Sequence, residues 1–261
     1  MKRLLLFAVL LLPLLSASPE RAAVIAEKSD ILLTDHLGNC YLVAGDRIRK
    51  FDTRGQFQKE FSNKNFGAIS AADATNPLRI LLFYRDFSRI LFLDNTLSQN
   101  GEAVQLEALG YPMTTLAATS YDNGLWIYDQ QNFELIRLNR NLQPEQRTGN
   151  LSQQLGIELR PDFLLEKDNK LFMNNPATGI LVFDVFGTYS RQIPLPGLNR
   201  FQIDDDAVVW FSAGQLHRYE MLTQETSVYE KPVDTLARSM RIEKPIVVVQ
   251  RSDSVLIYPR K

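Results

Sequence analysis

The chain of 261 residues is poor in the side chains that most often carry catalysis or disulfides, with one cysteine and two histidines. Cys40 has no partner for an intrachain disulfide, and it lies too far from the N-terminus to be a lipid-modified first residue. His36 and His217 are far apart in the sequence and make a poor zinc site. The sequence also lacks a GxSxG elbow, an HExxH helix, a glycine-rich phosphate loop and a CxxC pair. No catalytic signature is therefore present.

Long apolar runs are also missing, apart from a short one at the N-terminus. Lys2 and Arg3 precede an apolar run from Leu4 to Leu15, which is shorter than the roughly 20 residues that a membrane-spanning helix needs. Small residues follow at Ser16 and Ser18, as at a signal-peptidase site. The pattern predicts a signal peptide over residues 1–18 and a mature domain over 19–261, located in the periplasm or secreted and not spanning a membrane.

An excess of positive charge is absent as well. Removal of residues 1–18 takes away Lys2 and Arg3 and no acid, so 27 basic and 30 acidic residues remain, a net charge of −3. Such a balance gives little general attraction for nucleic acid or anionic lipid. We expect no nucleic-acid partner.

What the sequence does have is a repeat. An apolar residue is followed three places later by an aromatic residue or leucine, and then in most copies by a turn residue. The six copies are Ile48–Phe51–Asp52, Ile90–Leu93–Asp94, Leu135–Leu138–Asn139, Ile180–Phe183–Asp184, Leu216–Tyr219–Glu220 and Val255–Tyr258–Pro259. Successive copies are 36 to 45 residues apart, a spacing typical of propeller blades.

The segments between the copies indicate strands. A β-rich run stands before each copy, as in "RILLFY" (79–84), "LWIY" (125–128) and "IVVV" (246–249). A turn and another short strand precede each run, including "ILLT" (31–34), "AISA" (68–71) and "TTLAAT" (114–119). A weaker fourth strand often follows. The sequence therefore predicts an all-β fold, a six-bladed β-propeller of four-stranded antiparallel blades.

The two ends of the chain predict how the ring closes. The last unit supplies only three strands before Lys261, and an unassigned apolar stretch, "AAVIA" (22–26), stands before the first unit. This stretch is expected to pair as the outer strand of the last blade, which removes an open edge.

This arrangement is expected to bring two sets of polar residues together, one at each mouth of the channel. Acids occupy the turn after each innermost strand: Asp35, Asp73, Asp122, Glu166, Asp204 and Glu243. A ring of carboxylates could bind a cation, but turn chemistry explains acids at these places, and we favour it. The opposite mouth, where innermost strands begin, offers a candidate binding set of Asp30, Asn65, Tyr111, Arg160, Asp162, Asn199, Arg200 and Arg238. Its arginines suit an anionic or peptide group, and ordinary solvated loops are the alternative. No residue is assigned a catalytic or metal-binding role.

Residues from about 22 to 261 resemble the superfamily of six-bladed propellers that includes NHL-repeat and YWTD-like domains, as bacterial secreted or envelope members. The likeness is carried by units such as "DNGLWIYDQQNFELIRLNRNL" (122–142) and "GNCYLVAGDRIRKFDTRGQF" (38–57). Many such members look like binding or scaffold modules. Others, similar to gluconolactonases, hold calcium at the channel mouth with Glu, Asn and Asp. Asp30, Asn65, Asp162 and Asn199 match those ligands by side-chain type, without a glutamate.

The leading functional hypothesis is a scaffold of the cell envelope that is not an enzyme, has no cofactor and binds a protein partner, as in an outer-membrane assembly or secretion complex. The first alternative is a calcium-dependent hydrolase or lyase of the gluconolactonase type. The second is a glycan- or peptide-binding module.

Overall fold

The computed structural model describes residues 23–229 and 234–260, and the predicted signal peptide lies outside these ranges. Twenty-four strands form six four-stranded antiparallel sheets within the described residues. The chain is a six-bladed β-propeller, as the repeat predicts.

Each blade has four strands. The first described strand, β1 (Ala23–Ile25), belongs to blade 6 and precedes the strands of blade 1. Blade 1 contains β2 (Ile31–Thr34), β3 (Cys40–Ala44), β4 (Arg47–Phe51) and β5 (Phe57–Ser62). Blade 2 contains β6 (Ala71–Asp73), β7 (Ile80–Tyr84), β8 (Arg89–Leu93) and β9 (Val104–Gln105). Blade 3 contains β10 (Thr114–Thr119), β11 (Leu125–Asp129), β12 (Glu134–Leu138) and β13 (Pro144–Arg147).

The short helix α1 (Leu151–Leu155) leads from blade 3 to blade 4. Blade 4 contains β14 (Phe163–Lys167), β15 (Lys170–Asn175), β16 (Gly179–Asp184) and β17 (Tyr189–Ile193). Blade 5 contains β18 (Gln202–Asp204), β19 (Ala207–Ser212), β20 (Gln215–Glu220) and β21 (Thr226–Val228). Blade 6 contains β22 (Ser239–Ile242), β23 (Ile246–Gln250) and β24 (Val255–Pro259).

The N-terminal strand closes the ring. Strand β1 pairs antiparallel with β24, with Ala23 opposite Ile257 and Ile25 opposite Val255, so that blade 6 has the order β1-β24-β23-β22. Ile25 is buried together with Ile257 and Cys40 between blades 6 and 1. The predicted closure is confirmed.

The middle strands of the blades are buried on both faces, which explains why they read as apolar runs. All five residues of β7 and of β11 are buried. Buried apolar side chains contribute about 1.5–3 kcal/mol each, so the packing between blades is the main source of stability. Clusters of nine to twelve buried residues fill five of the six blade interfaces in the described residues. Among the described residues, the buried cluster between blades 5 and 6 is smaller and consists of Val209, Leu216 and Ile242, with four partly buried residues packed against it: Phe211, Tyr229, Met240 and Val247.

The turn after the third strand repeats in four blades. Asp52, Asp94, Asn139 and Asp184 each end a third strand and accept backbone N–H groups two and four residues later, at 2.8–3.1 Å. This geometry confirms the predicted reason for the recurring Asp or Asn.

One strand differs from its predicted position. The innermost strand of blade 2 runs from Ala71 to Asp73, not over 68–71. Residues just before it have already turned toward blade 1, where the Ile69 N–H donates to the Gly45 carbonyl at 2.9 Å.

Candidate functional site

The ring encloses a channel that is divided into two cavities. One cavity, of about 380 Å³, lies where the innermost strands begin and is lined by Arg85, Arg200 and Arg238; we call this end the arginine mouth. The other, of about 410 Å³, lies where those strands end, beside Asp35, Asp204 and Glu243; we call it the acid mouth. Both cavities border Thr34, Gln202 and Arg241, which therefore stand at the division between them.

Five of the eight residues in the candidate binding set line the cavity at the arginine mouth: Asp30, Asp162, Asn199, Arg200 and Arg238. Each lies just before an innermost strand, where the ring geometry brings all six blades around one axis.

The other three residues of the set lie elsewhere. Asn65 is exposed in a one-turn 3-10 helix and is tied to Asn63. Tyr111 is buried between blades 2 and 3, and its hydroxyl accepts a hydrogen bond from Arg147 Nη2 at 2.7 Å. The Arg160 side chain is 83% exposed and pairs with Glu158 at 2.6 Å. None of the three borders either cavity.

Three residues of the arginine mouth were not predicted from the sequence. Arg85 lies in the turn between β7 and β8, Arg241 lies within β22, and Trp210 lies near the end of β19. Trp210 reaches the cavity because the short β18 pairs with β19 only up to Val209. Its ring stacks on His217, with the ring centroids 5.1 Å apart. A charged residue inside a predicted innermost strand was the available signal for Arg241.

Arg200 is held in place by neutral groups. Its Nη1 donates to the carbonyl oxygens of Asp162 and Asn199, at 2.9 and 3.1 Å, and its guanidinium lies 4.8 Å from the Phe163 ring centroid. Burial lowers the pKa of Arg200, with the positive charge of Arg85 acting in the same direction and Asp162 opposing it.

Asp162 is the acid beside this arginine. Its carboxylate accepts a hydrogen bond from Asn174 Nδ2 at 2.7 Å. Burial raises its pKa, although the Asn174 hydrogen bond and the charge of Arg200 act in the opposite direction. Asp162 and Arg200 form no salt bridge within 4.0 Å.

The four arginines of this cavity share one property. Arg85, Arg200, Arg238 and Arg241 form no salt bridge with a carboxylate of residues 23–229 or 234–260, whereas nine of the other thirteen arginines in these ranges do. The charged lining consists of these four arginines and three aspartates, Asp30, Asp73 and Asp162. Of the three, Asp30 accepts from the Gly45 N–H, and Asp73 is bonded to Thr119 of the next blade. The arginines can therefore bind an anion from outside.

The acids at the ends of the innermost strands have the opposite character, because they are bonded to the protein itself. Asp35, Asp204 and Glu243 border the cavity of the acid mouth, whereas Asp73 borders the cavity of the arginine mouth. Glu166 accepts from Ser120 Oγ, the Tyr121 N–H and Trp126 Nε1 of blade 3, at 2.6–2.8 Å. Asp73 binds Thr119 of blade 3. These carboxylates join neighbouring blades.

The remaining acids of this set are also engaged. Asp35 accepts from the Leu37 and Asn39 N–H groups and from the Tyr41 hydroxyl, at 2.8–3.0 Å. Asp122 pairs with the buried Arg137 at 2.5 Å, and Asp204 pairs with Arg218 at 2.9 Å. Turn bonds, blade contacts and ion pairs thus explain these residues.

The structure bears on two further points of chemistry. Within residues 23–229 and 234–260, no group of three or more His, Cys, Asp or Glu side chains is placed to hold a metal ion. Cys40 is buried, and burial raises the pKa of its thiol to about 12, which suppresses thiolate chemistry. In the same part of the chain, no helix is long and apolar enough to cross a bilayer.

Comparison with known proteins relates the chain to others by fold. No protein-family model matches the sequence, and no curated protein matches it. Virginiamycin B lyase from Staphylococcus aureus is similar in structure, with a TM-score of 0.56 and 15% identity over 88% of this chain and 80% of that one. BBS1N in complex with ARL6DN gives 0.55 and 13%, over 84% and 74%. BamB from Moraxella catarrhalis gives 0.51 and 10%, over 93% and 90%.

These identities establish the propeller fold alone. An enzyme and a protein solved with a bound partner stand side by side among the similar structures. Function must therefore be argued from the site of this chain.

Proposed function

We propose that this protein is a binding module of the bacterial cell envelope that holds an acidic segment of a partner protein at its arginine mouth. It acts as a scaffold in a larger assembly, such as one of outer-membrane assembly or secretion. The single observation that carries the proposal is the group of four arginines around one cavity that form no salt bridge within the described residues.

Charge explains why such a group favours an acidic partner. A guanidinium and a carboxylate 4 Å apart attract each other by about 4 kcal/mol at an effective dielectric constant near 20. Arginine also offers two parallel N–H donors to a carboxylate, which adds geometric specificity. The arginines come from blades 2, 5 and 6, so they surround the cavity rather than forming a surface stripe.

The location rests on the N-terminal pattern. Lys2 and Arg3, the apolar run and the small residues at 16 and 18 support export to the periplasm or beyond. The acidic net charge of the mature chain gives no general attraction for lipid headgroups, so the local arginine cluster is what selects an anion.

A calcium-dependent hydrolase is a weaker candidate on electrostatic grounds. Asp30, Asp162 and Asn199 do border the same cavity. The four arginines there repel a divalent cation, and Asn65 lies outside the cavity. A glycan-binding module has one supporting observation, the partly exposed Trp210 ring on the cavity wall.

Site-specific photo-crosslinking in the native envelope tests the proposal. A crosslinking residue at Asn199, beside Arg200 at the arginine mouth, is expected to give a discrete protein adduct. The same residue at the exposed Leu37, in the first turn of the acid mouth, is the position control. Arg238→Glu should abolish the adduct, and Arg140→Glu on the outer rim should preserve it. Adducts of equal yield from both positions, or none from Asn199, would overturn the proposal.

A further inference from the structure

Arg241 occupies an unusual place in the channel. It lies on β22, at the division between the two cavities and below Arg200 and Arg238 as seen from the arginine mouth. Its Nη1 donates to the Phe201 carbonyl oxygen at 3.4 Å, a long hydrogen bond to a neutral group. No salt bridge within the described chain compensates its charge.

The acids near Arg241 are committed to other groups. Glu243 Oε1 accepts from Thr34 Oγ1 at 2.5 Å and from Gln202 Nε2 at 3.3 Å. Asp73 accepts from the N–H and Oγ1 of Thr119. Arg200, on the other side, adds positive charge. Burial lowers the pKa of Arg241 to about 10, and the nearby charges of Glu243 and Asp73 oppose this shift only in part. A half-buried charge that forms no salt bridge disfavours folding, so such an arginine is expected to serve a ligand.

We propose that Arg241 is the anchor for a terminal carboxylate, namely the free C-terminus of the acidic partner segment that enters through the arginine mouth. This inference rests on the proposed function and adds the group that is recognised at the bottom of the cavity. Arg85, Arg200 and Arg238 bind side-chain acids near the opening, and Arg241 binds the end of the chain.

The shape of the cavity favours a chain end. A volume of about 380 Å³ lies at the low end of the range for small-ligand pockets and is too small for a folded element. Phe163 and Phe201 supply apolar wall beside Arg241, while Thr34 and Gln202 stand at the division from the other cavity. A segment that enters from the arginine mouth therefore reaches Arg241 with its tip.

Calorimetric titration of the purified protein with two peptides tests the inference. The probes are N-acetyl-Glu-Glu-Gly-Gly with a free C-terminal carboxylate and the same peptide as a C-terminal amide. We expect the amide to bind the wild type at least about tenfold more weakly, since a charge-assisted hydrogen bond is lost. Arg241→Gln should bind both peptides alike, at the level of the amide, and Arg140→Gln should retain the preference. Arg241→Lys keeps the positive charge but lacks the two parallel N–H donors, so it should recover part of the preference for the free acid.

The outcomes separate this inference from the proposed function. If the free acid does not bind, or if Arg241→Gln keeps the preference for it, the anchor is overturned. Equal binding of both peptides to the wild type also overturns it, while acidic side chains at the mouth remain as the partner's contact. If the preference for the free acid depends on Arg241 but crosslinking in the envelope gives no adduct, the carboxylate site is supported and the proposed function is wrong.

A second readout does not need a ligand. Because the charge of Arg241 forms no salt bridge within the described residues and is offset only in part by Glu243 and Asp73, Arg241→Met should melt at a higher temperature than the wild type when no peptide is present. A lower melting temperature would indicate that Arg241 holds the fold together and would count against the anchor.

Discussion

The two ends of the channel use charged residues in opposite ways. On the side of the acid mouth, Glu166 accepts a hydrogen bond from the adjacent blade, Glu243 accepts from Thr34 and Gln202 of other blades, and Asp204 pairs with Arg218 of its own blade. At the arginine mouth, Arg85 and Arg238 form no salt bridge in the described chain, and Arg200 is bonded only to carbonyl oxygens. One set of charges is bonded within and between blades, and the other faces the cavity without an ion pair in the described residues.

The difference shows how a symmetric scaffold acquires a site. Each blade packs against its neighbours in the same way, so polar groups that form hydrogen bonds across a blade boundary are explained by their contribution to stability. Polar groups that are left without partners have no such explanation, and sites of this kind are where function is expected. The arginine mouth also borders the interface between blades 5 and 6, which has the smallest buried apolar cluster among residues 23–229 and 234–260.

The largest effect is expected from opening the ring, since both mouths depend on a closed circle. Deleting residues 20–27 removes β1 and exposes the pairing edge of β24 and the side chain of Ile257. We expect a sharp fall in melting temperature, from a loss of at least about 3 kcal/mol. A truncation that ends before Ala23 is the control. An unchanged melt of the longer deletion would show that β1 does not close the ring.

The next largest effect concerns the contribution of the acids on the side of the acid mouth to the stability of the fold. Glu166→Ala leaves donors of Ser120, Tyr121 and Trp126 without an acceptor, and should cost about 2–3 kcal/mol in the free energy of unfolding. Glu158→Ala, in the linker that leads into the same blade, breaks an exposed pair with Arg160 and should cost less than about 1 kcal/mol. Denaturant unfolding measures both. Equal losses would remove the structural role that we assign to the acid mouth.

A smaller effect concerns Glu243, an acid that borders the cavity of the acid mouth. Burial raises the pKa of Glu243, against the Thr34 hydrogen bond and the charges of Arg241 and Lys167. The folded state therefore binds the proton more tightly than the unfolded state, and stability rises as the pH falls through the raised pKa toward 4.5, the ordinary value for glutamate.

Glu243→Gln should remove this dependence. Near neutral pH the variant should be more stable than the wild type, and the difference should shrink as the pH falls to about 4.5. Thermal melts across this window measure it, with the exposed Glu225→Gln as the control. A variant that is less stable at neutral pH would show that Glu243 is fully compensated.

The smallest effect on stability is expected at the arginine mouth. Arg238→Gln should change the free energy of unfolding by less than about 0.5 kcal/mol, because no ion pair is lost. The same variant should weaken binding of the acidic peptide and reduce the salt dependence of that binding. A loss of stability without a change in peptide affinity would show that Arg238 serves the fold and not the binding of an anion.

Much of the fold could be predicted because every blade packs between two neighbours and needs the same kind of strand. The sequence motif that ends at Phe183–Asp184 is a strand buried on both faces, followed by a turn. Its six copies give the number of blades. The apolar stretch around Val24 had no other partner than the incomplete last blade. The innermost strand of blade 2 was placed too early, because hydrogen bonding between Ile69 and Gly45 is invisible in a local pattern.

The site could be predicted only in part. Residues such as Asp30 and Arg238 directly precede an innermost strand, and the ring brings such positions together. Linkers between blades differ in length and path, so Tyr111 is buried while Arg160 is exposed. Arg241 was missed because alternation along a strand does not tell which residue faces the channel.

Hydrogen–deuterium exchange with a free-acid hexaglutamate peptide tests the central claim most directly, since it reads both mouths in one measurement. The account predicts slower exchange in segments 197–202 and 236–242 of the arginine mouth, and unchanged exchange in turns 35–39 and 204–206 of the acid mouth. Slower exchange at the acid mouth, or at neither mouth, would contradict it.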